Sequence, residues 1–123
     1  MKTKLLTPVI LIIIVFTTLN SCKKNNDGDN PEPVNYNIYI YGITGCHYCT
    51  DFEDALKKDG VDYSFYDMDS NNVKRTEMIN KLHAASIPEN SIKWPVVDVM
   101  IDSISHMYIQ PDYIKDVKPL IGK

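Results

Sequence analysis

Gly45-Cys46-His47-Tyr48-Cys49-Thr50 joins a hydrophobic run to an amphipathic one, and its two cysteines stand three residues apart. Upstream, Asn37-Ile38-Tyr39-Ile40-Tyr41 is β-branched and aromatic, as a buried strand is. Downstream, Tyr48, Phe52, Ala55 and Leu56 recur at i, i+4, i+7 and i+8, which puts them on one helix face. Cys46 is thereby placed at the helix N-terminus, where unpaired amide N–H groups and the helix dipole favour a thiolate over a thiol. That placement brings a cysteine below its free pKa of about 8.5 and makes it a usable nucleophile near neutral pH. Cys49, one turn on, lies on the same side and can close a disulfide with it. The stretch reads as a redox-active pair.

Two blander readings compete. A structural disulfide across so short a loop would constrain little of the unfolded chain and stabilise weakly. A closed zinc site takes four ligands, and one C-x-x-C supplies two of them. There is no second C-x-x-C and no H-x-x-x-H, and His47, His83 and His106 are scattered, so a metal site private to this chain is not expected. The alternative function kept open is a membrane-tethered metal carrier that uses the thiolate pair, alone or shared between two chains.

The first residues stand apart from the fold. Met1-Lys2-Thr3-Lys4 is a short basic region, and Leu5 to Phe16 is apolar apart from Thr7 and Pro8. An apolar stretch this short, basic before and small-residue after, is a secretory signal rather than a spanning helix. Leu19-Asn20-Ser21-Cys22 resembles the bacterial lipobox, with Asn20 an unusual residue at its position. The resemblance makes Cys22 the lipidated first residue of the mature chain; ordinary cleavage, leaving Cys22 unmodified, is the competing reading. Three cysteines in an exported protein would leave one unpaired. Lipidation of Cys22 removes that odd thiol and leaves Cys46 and Cys49 as a self-contained pair. An extracytoplasmic site in the cell envelope also lets disulfides persist.

Lys23 to Pro33 carries no large apolar residue and has the composition of a solvated tether. The expected organisation is a signal over residues 1–21, a lipidated cysteine and tether over 22–35, and one small domain over 36–123. Removing residues 1–21 takes Lys2 and Lys4 from the 13 basic residues, leaving 11 against 16 acidic ones and a net charge of −5. No Lys/Arg stripe appears, so no nucleic-acid partner is expected.

Within the domain, periodicity predicts a helix from His47 to about Lys58, stopped by Asp59-Gly60. Val61-Asp62-Tyr63-Ser64-Phe65-Tyr66 reads as a second strand, paired in parallel with the first through a right-handed crossover. Ser70-Asn71-Asn72 offers caps for a second helix with Met78, Ile79, Leu82 and Ala85 inward. After a loop at Ile87–Ser91, Val96–Ile101 and Ser105–Ile109 read as strands of a hairpin turning at Asp102-Ser103. Pro111 opens a last helix with Ile114, Val117, Leu120 and Ile121 inward. The order is β-α-β-α-β-β-α.

That order, with C-x-x-C at the first helix start and a proline opening the third strand, resembles the thioredoxin superfamily and most of all the glutaredoxin family. Tyr39 to Cys49 aligns with the glutaredoxin strand and its C-P-Y-C motif, and Trp94-Pro95-Val96-Val97 with the T-V-P-x-V segment. The resemblance covers nearly all of residues 37–123. It implies an α/β thioredoxin-like fold with a four-stranded mixed sheet flanked by three helices. It makes Cys46 the nucleophile that forms a mixed disulfide and Cys49 the thiol that resolves it. It implies a cis bond before Pro95, so that Trp94 can pair its main chain with an extended substrate. A proline at a strand edge, without that role, is the plain alternative.

The departures from the family pattern are informative. His47 replaces the motif proline; it either adds positive character beside the nucleophile or is a solvated polar residue. Tyr48 matches the family and flanks the cleft or simply packs. Ile43 stands where glutathione-binding members carry a lysine, and Gln110-Pro111-Asp112 replaces their Gly-Gly-x-Asp, leaving Asp112 to cap the last helix. Lys93 stands in place of a threonine and either meets a carboxylate or is solvated. Glutathione is therefore expected less than protein dithiols and disulfides. The expected protein is a monomeric, lipid-anchored thiol–disulfide oxidoreductase served by an upstream redox partner, with no cofactor beyond its own disulfide. A redox-inert adaptor binding peptides beside Pro95 is the weakest alternative.

Overall fold

Ile38 and Ile40 of β1 (Tyr36–Gly42) face one side of the sheet and Tyr39 and Tyr41 the other, so this strand faces both of the domain's cores. The structure, a computed structural model, describes residues 32–123. The expected signal over 1–21, Cys22 and most of the tether lie outside the described residues.

β1 pairs in parallel with β2 (Ser64–Asp67), from Tyr39 opposite Ser64 to Gly42 opposite Asp67. On its other side it runs antiparallel to β3 (Val96–Ile101), from Tyr36 opposite Ile101 to Tyr41 opposite Val96. β4 (Ile104–Ile109) extends the sheet to the order β2-β1-β3-β4. The β3–β4 turn is Asp102-Ser103, at φ 49° and 69°, the left-handed pair that a tight hairpin demands. With α1 (His47–Lys58), α2 (Asn72–Ala84) and α3 (Tyr113–Val117), the chain has the β-α-β-α-β-β-α order and mixed four-stranded sheet expected. Among the described residues, no helix is long and apolar enough to cross a membrane.

The first core lies between the sheet and α1 with α3: Ile38, Ile40, Val97 and Val99 meet Phe52, Leu56, Tyr113 and Val117. The second lies under α2, where Tyr41, Val96 and Met68 meet Met78 and Leu82. α1 ends as its glycine predicts. Gly60 sits at φ 65° and donates to the Lys57 carbonyl, while Val61 donates to that of Leu56. This six-to-one, five-to-two pattern closes the helix and folds Val61 into the core beside Leu56. α1 and α3 are tied at Asp59, whose carboxylate accepts from Tyr113 Oη at 2.9 Å and pairs with Lys118 Nζ at 2.7 Å. The Lys118 hydrogen bond, with that of Tyr113, holds the Asp59 carboxyl below the usual carboxylate range.

Several expectations need correction. β2 begins at Ser64 rather than Val61, because Val61 is consumed by the helix stop. Ala85 is exposed, since it is the C-cap of α2 and lies past its last inward position. Tyr48 is 61% exposed, and Cys49 takes the inward place at the start of α1. The last helix is one wide turn, in which the Lys118 amide reaches the Tyr113 carbonyl five residues back. Pro119 supplies no amide to continue a regular helix. Tyr113 and Val117 are the residues that this turn buries, and Ile114 is left 60% exposed.

Candidate active site

The loop between β1 and α1 is a turn in which Cys46 N–H donates to the Ile43 carbonyl at 3.3 Å and Gly45 holds φ 74°. That backbone is open to glycine and strained for most other residues. Asp69, beyond β2, steadies the turn by accepting from Thr44 N–H at 3.2 Å. The turn delivers Cys46 to the N-cap of α1, where its Sγ accepts from Cys49 N–H at 3.1 Å. A sulfur thus fills the place that a serine or aspartate oxygen takes in other helices.

Cys46 and Cys49 are joined as a disulfide, with their Cα atoms 5.3 Å apart. The two sulfurs are not equivalent. Cys46 is partly exposed, whereas Cys49 is 3% exposed and packed beneath the motif. Gly42 makes room for it: a Cβ there would lie 3.0 Å from Cys49 Sγ and 2.7 Å from the Phe65 ring.

The third strand begins at the same end of the sheet. Tyr41 and Val96 form the last pair of the β1–β3 ladder, with Gly42 following the one and Pro95 preceding the other. The Trp94–Pro95 bond is cis and Pro95 is buried. Gln110, at φ 47°, ties this bend to the end of β4: its N–H donates to the Pro95 carbonyl at 2.7 Å and its Nε2 to the Trp94 carbonyl at 3.0 Å. The Trp94 ring is half-buried against the second core.

The remaining candidates fall around this frame. His47 is exposed and its Nε2 lies 3.0 Å from Asp51 Oδ2, one turn along α1. Tyr48 projects outward and lines a groove of about 390 Å³ with Asp51 and Phe52 of α1 and with Gln110 to Ile114 across from it. Ile43, in place of a lysine, packs against the second core. Lys93 is exposed, and among the described residues no carboxylate pairs with it. Asp112 caps α3 as expected, its Oδ1 accepting from the Ile114 and Lys115 amides at 2.9 and 3.1 Å. Sequence reasoning passed over the tie made by Gln110, because nothing in the residue type announces a left-handed backbone. It also passed over Gly42, for which a glycine ending a strand four residues before Cys46 was the available signal.

A strand feeding a C-x-x-C at a helix N-terminus, beside a strand opened by a cis proline, defines a thiol–disulfide redox protein of the thioredoxin superfamily. The glutaredoxin family model matches residues 38–102, more than half of the chain, and the chain belongs to the glutaredoxin family. Comparisons with curated proteins and with solved structures returned no significant match.

Proposed function

We propose that this protein is an exported, lipid-anchored oxidoreductase that exchanges disulfides with protein partners through Cys46 and Cys49. The observation that carries the reading is the asymmetry of the pair: a partly exposed sulfur at a helix N-terminus bonded to a buried one. Only Cys46 is open to attack. An incoming protein thiolate attacks Cys46 Sγ, the bond to Cys49 breaks, and Cys49 leaves as a thiolate that takes up a proton. The second thiolate of the partner then attacks the partner's own sulfur in the mixed disulfide. The partner departs as a disulfide, and Cys46 is released as a thiolate with the Cys49 amide in place to hydrogen-bond it. Two electrons have passed to the pair. Run in reverse, the same steps reduce a partner disulfide, and an upstream protein dithiol resupplies the electrons.

Protein partners are favoured over glutathione by Ile43, which packs into the domain instead of offering a cation, and by the Gln110-Pro111 corner in place of paired glycines. Export and anchoring rest on the basic and apolar opening of the chain and on Leu19-Asn20-Ser21-Cys22.

Cys46→Ser tests the reading cleanly, because serine is itself a good N-cap and keeps α1 in place. The variant is expected to lose insulin-disulfide reduction altogether. Cys49→Ser is expected to accumulate mixed disulfides through Cys46, visible on a non-reducing gel. Undiminished turnover by Cys46→Ser overturns the proposal. So does reduced protein that carries stoichiometric metal and has no reductase activity.

A further inference from the structure

The groove beside the disulfide has a chemistry of its own. Its floor includes Phe52, 4% exposed, and its rims carry Tyr48 and Ile114, large apolar side chains left 61% and 60% exposed. Two carboxylates line it, Asp51 from α1 and Asp112 from the cap of α3, and no lysine or arginine does. Neither carboxylate is saturated. Asp51 Oδ2 faces His47 Nε2 at 3.0 Å, both groups being exposed. Asp112 uses Oδ1 for the cap, while Oδ2 has Lys115 Nζ only at 3.9 Å. Asp116, accepting from Asp112 N–H at 2.7 Å, adds a further negative charge to the same rim. Neither cysteine lines the groove, but its α1 wall begins at Tyr48, two residues after Cys46, so an occupant can reach it from the exchanging sulfur.

We infer that this groove is the subsite for residues flanking the exchanging cysteine of the partner, and that it takes a segment carrying a lysine or arginine next to an apolar residue. The inference rests on the protein-exchange reading above. The aliphatic stem of the basic residue covers Tyr48 and Ile114 while its charged end meets Asp51 and Asp112. The tyrosine face adds attraction for the cation. An acidic segment meets like charge in the same place.

The test uses the reduced full chain and three disulfides: a short peptide disulfide with Arg and Phe beside its cysteine, the same peptide with Glu for Arg, and neutral hydroxyethyl disulfide. Second-order rate constants are read from released thiol, and each is divided by the rate of the same disulfide with dithiothreitol. At ~20 mM salt the Arg peptide is expected to react roughly tenfold faster than the Glu peptide, and the ratio to approach one at ~0.5 M salt. In the double variant Asp51→Asn with Asp112→Asn, where asparagine retains the capping oxygen, the ratio is expected to fall below about twofold. Equal rates at low salt, or a preference that survives both high salt and the double variant, overturn the inference. If none of the three disulfides reacts, the exchange reading itself fails and this one with it. Reaction without charge preference removes only the groove assignment.

Discussion

Asp98 sits in the middle of β3 with no exposed surface, a polar side chain among valines. Lys81 Nζ reaches it from α2 at 2.8 Å and Ser105 Oγ from β4 at 2.6 Å, so both carboxylate oxygens are held. Burial pulls the Lys81 ammonium down, but its bonds to Asp98, Tyr41 and Glu77 outweigh that and raise it. Removing one member of such a pair strands the other charge away from water. Lys81→Met is therefore expected to cost about 3 kcal/mol in a urea titration, and the double change with Asp98→Asn to recover part of it. Gly42→Ala is expected to cost about 1 kcal/mol by the same measure. The Phe65 ring, 37% exposed, can swing away from the new methyl, but Cys49 Sγ is pinned by its disulfide. Such residues were poorly legible from the sequence. Asp98 sits in a run of valines that announces a strand, and no local pattern links it to Lys81, 17 residues away on another element. The cysteines were legible because their chemistry is contained in four consecutive residues.

At the level of elements, the ends matter more than the middles. α2 closes as α1 does, with Ser86 N–H on the His83 carbonyl and Ile87 N–H on that of Leu82, but its left-handed residue is a serine at φ 58°. Ser86→Gly is expected to stabilise the domain by about 0.5–1 kcal/mol, read as a higher thermal midpoint. α2 also carries half-buried Glu77, whose carboxyl is brought down to about 2 chiefly by the hydrogen bond from Lys74 at 2.6 Å, with Lys81 and Tyr41 adding to it. Its folded value lies below the value of roughly 4.3 that it has when unfolded. The contribution is therefore complete above about pH 4.5 and is lost as the pH falls toward 2. The urea midpoint is expected to decline across that window in the native protein and to decline less in Glu77→Gln. Period and caps made α1, α2, β3 and the hairpin legible. The starts and stops that differ, Val61 and the wide turn of α3, are places where a helix signal or a proline redirects the backbone against the hydrophobic pattern.

At the scale of the molecule, strand and helix alternation was enough to imply the parallel β1–β2 pair, and the hairpin the antiparallel half of the sheet. The groove was not legible. It forms where α1 meets the β4–α3 corner, more than 50 residues apart in the chain, and only folding brings Asp51 and Asp112 to one cleft. The anchoring proposal belongs to this scale too. Cys22→Ser is expected to move the protein from the membrane fraction to the soluble fraction with insulin reduction unchanged. Cell fractionation alongside the turnover assay checks both halves.

The direction of β1 has a consequence for how the domain is presented. The chain enters at Asn35, whose carbonyl accepts from Asp102 beside the hairpin turn, and the C-terminal Gly122 packs near Val34. Seven strand residues later, roughly 20 Å away, β1 hands over to Cys46. The start of β1 and the C-terminal residues thus occupy one pole of the domain and the reactive sulfur the other. Anything approaching Cys46 therefore meets the domain at the end opposite to Asn35 and Gly122, so a fusion at the C-terminus leaves the redox pole uncovered.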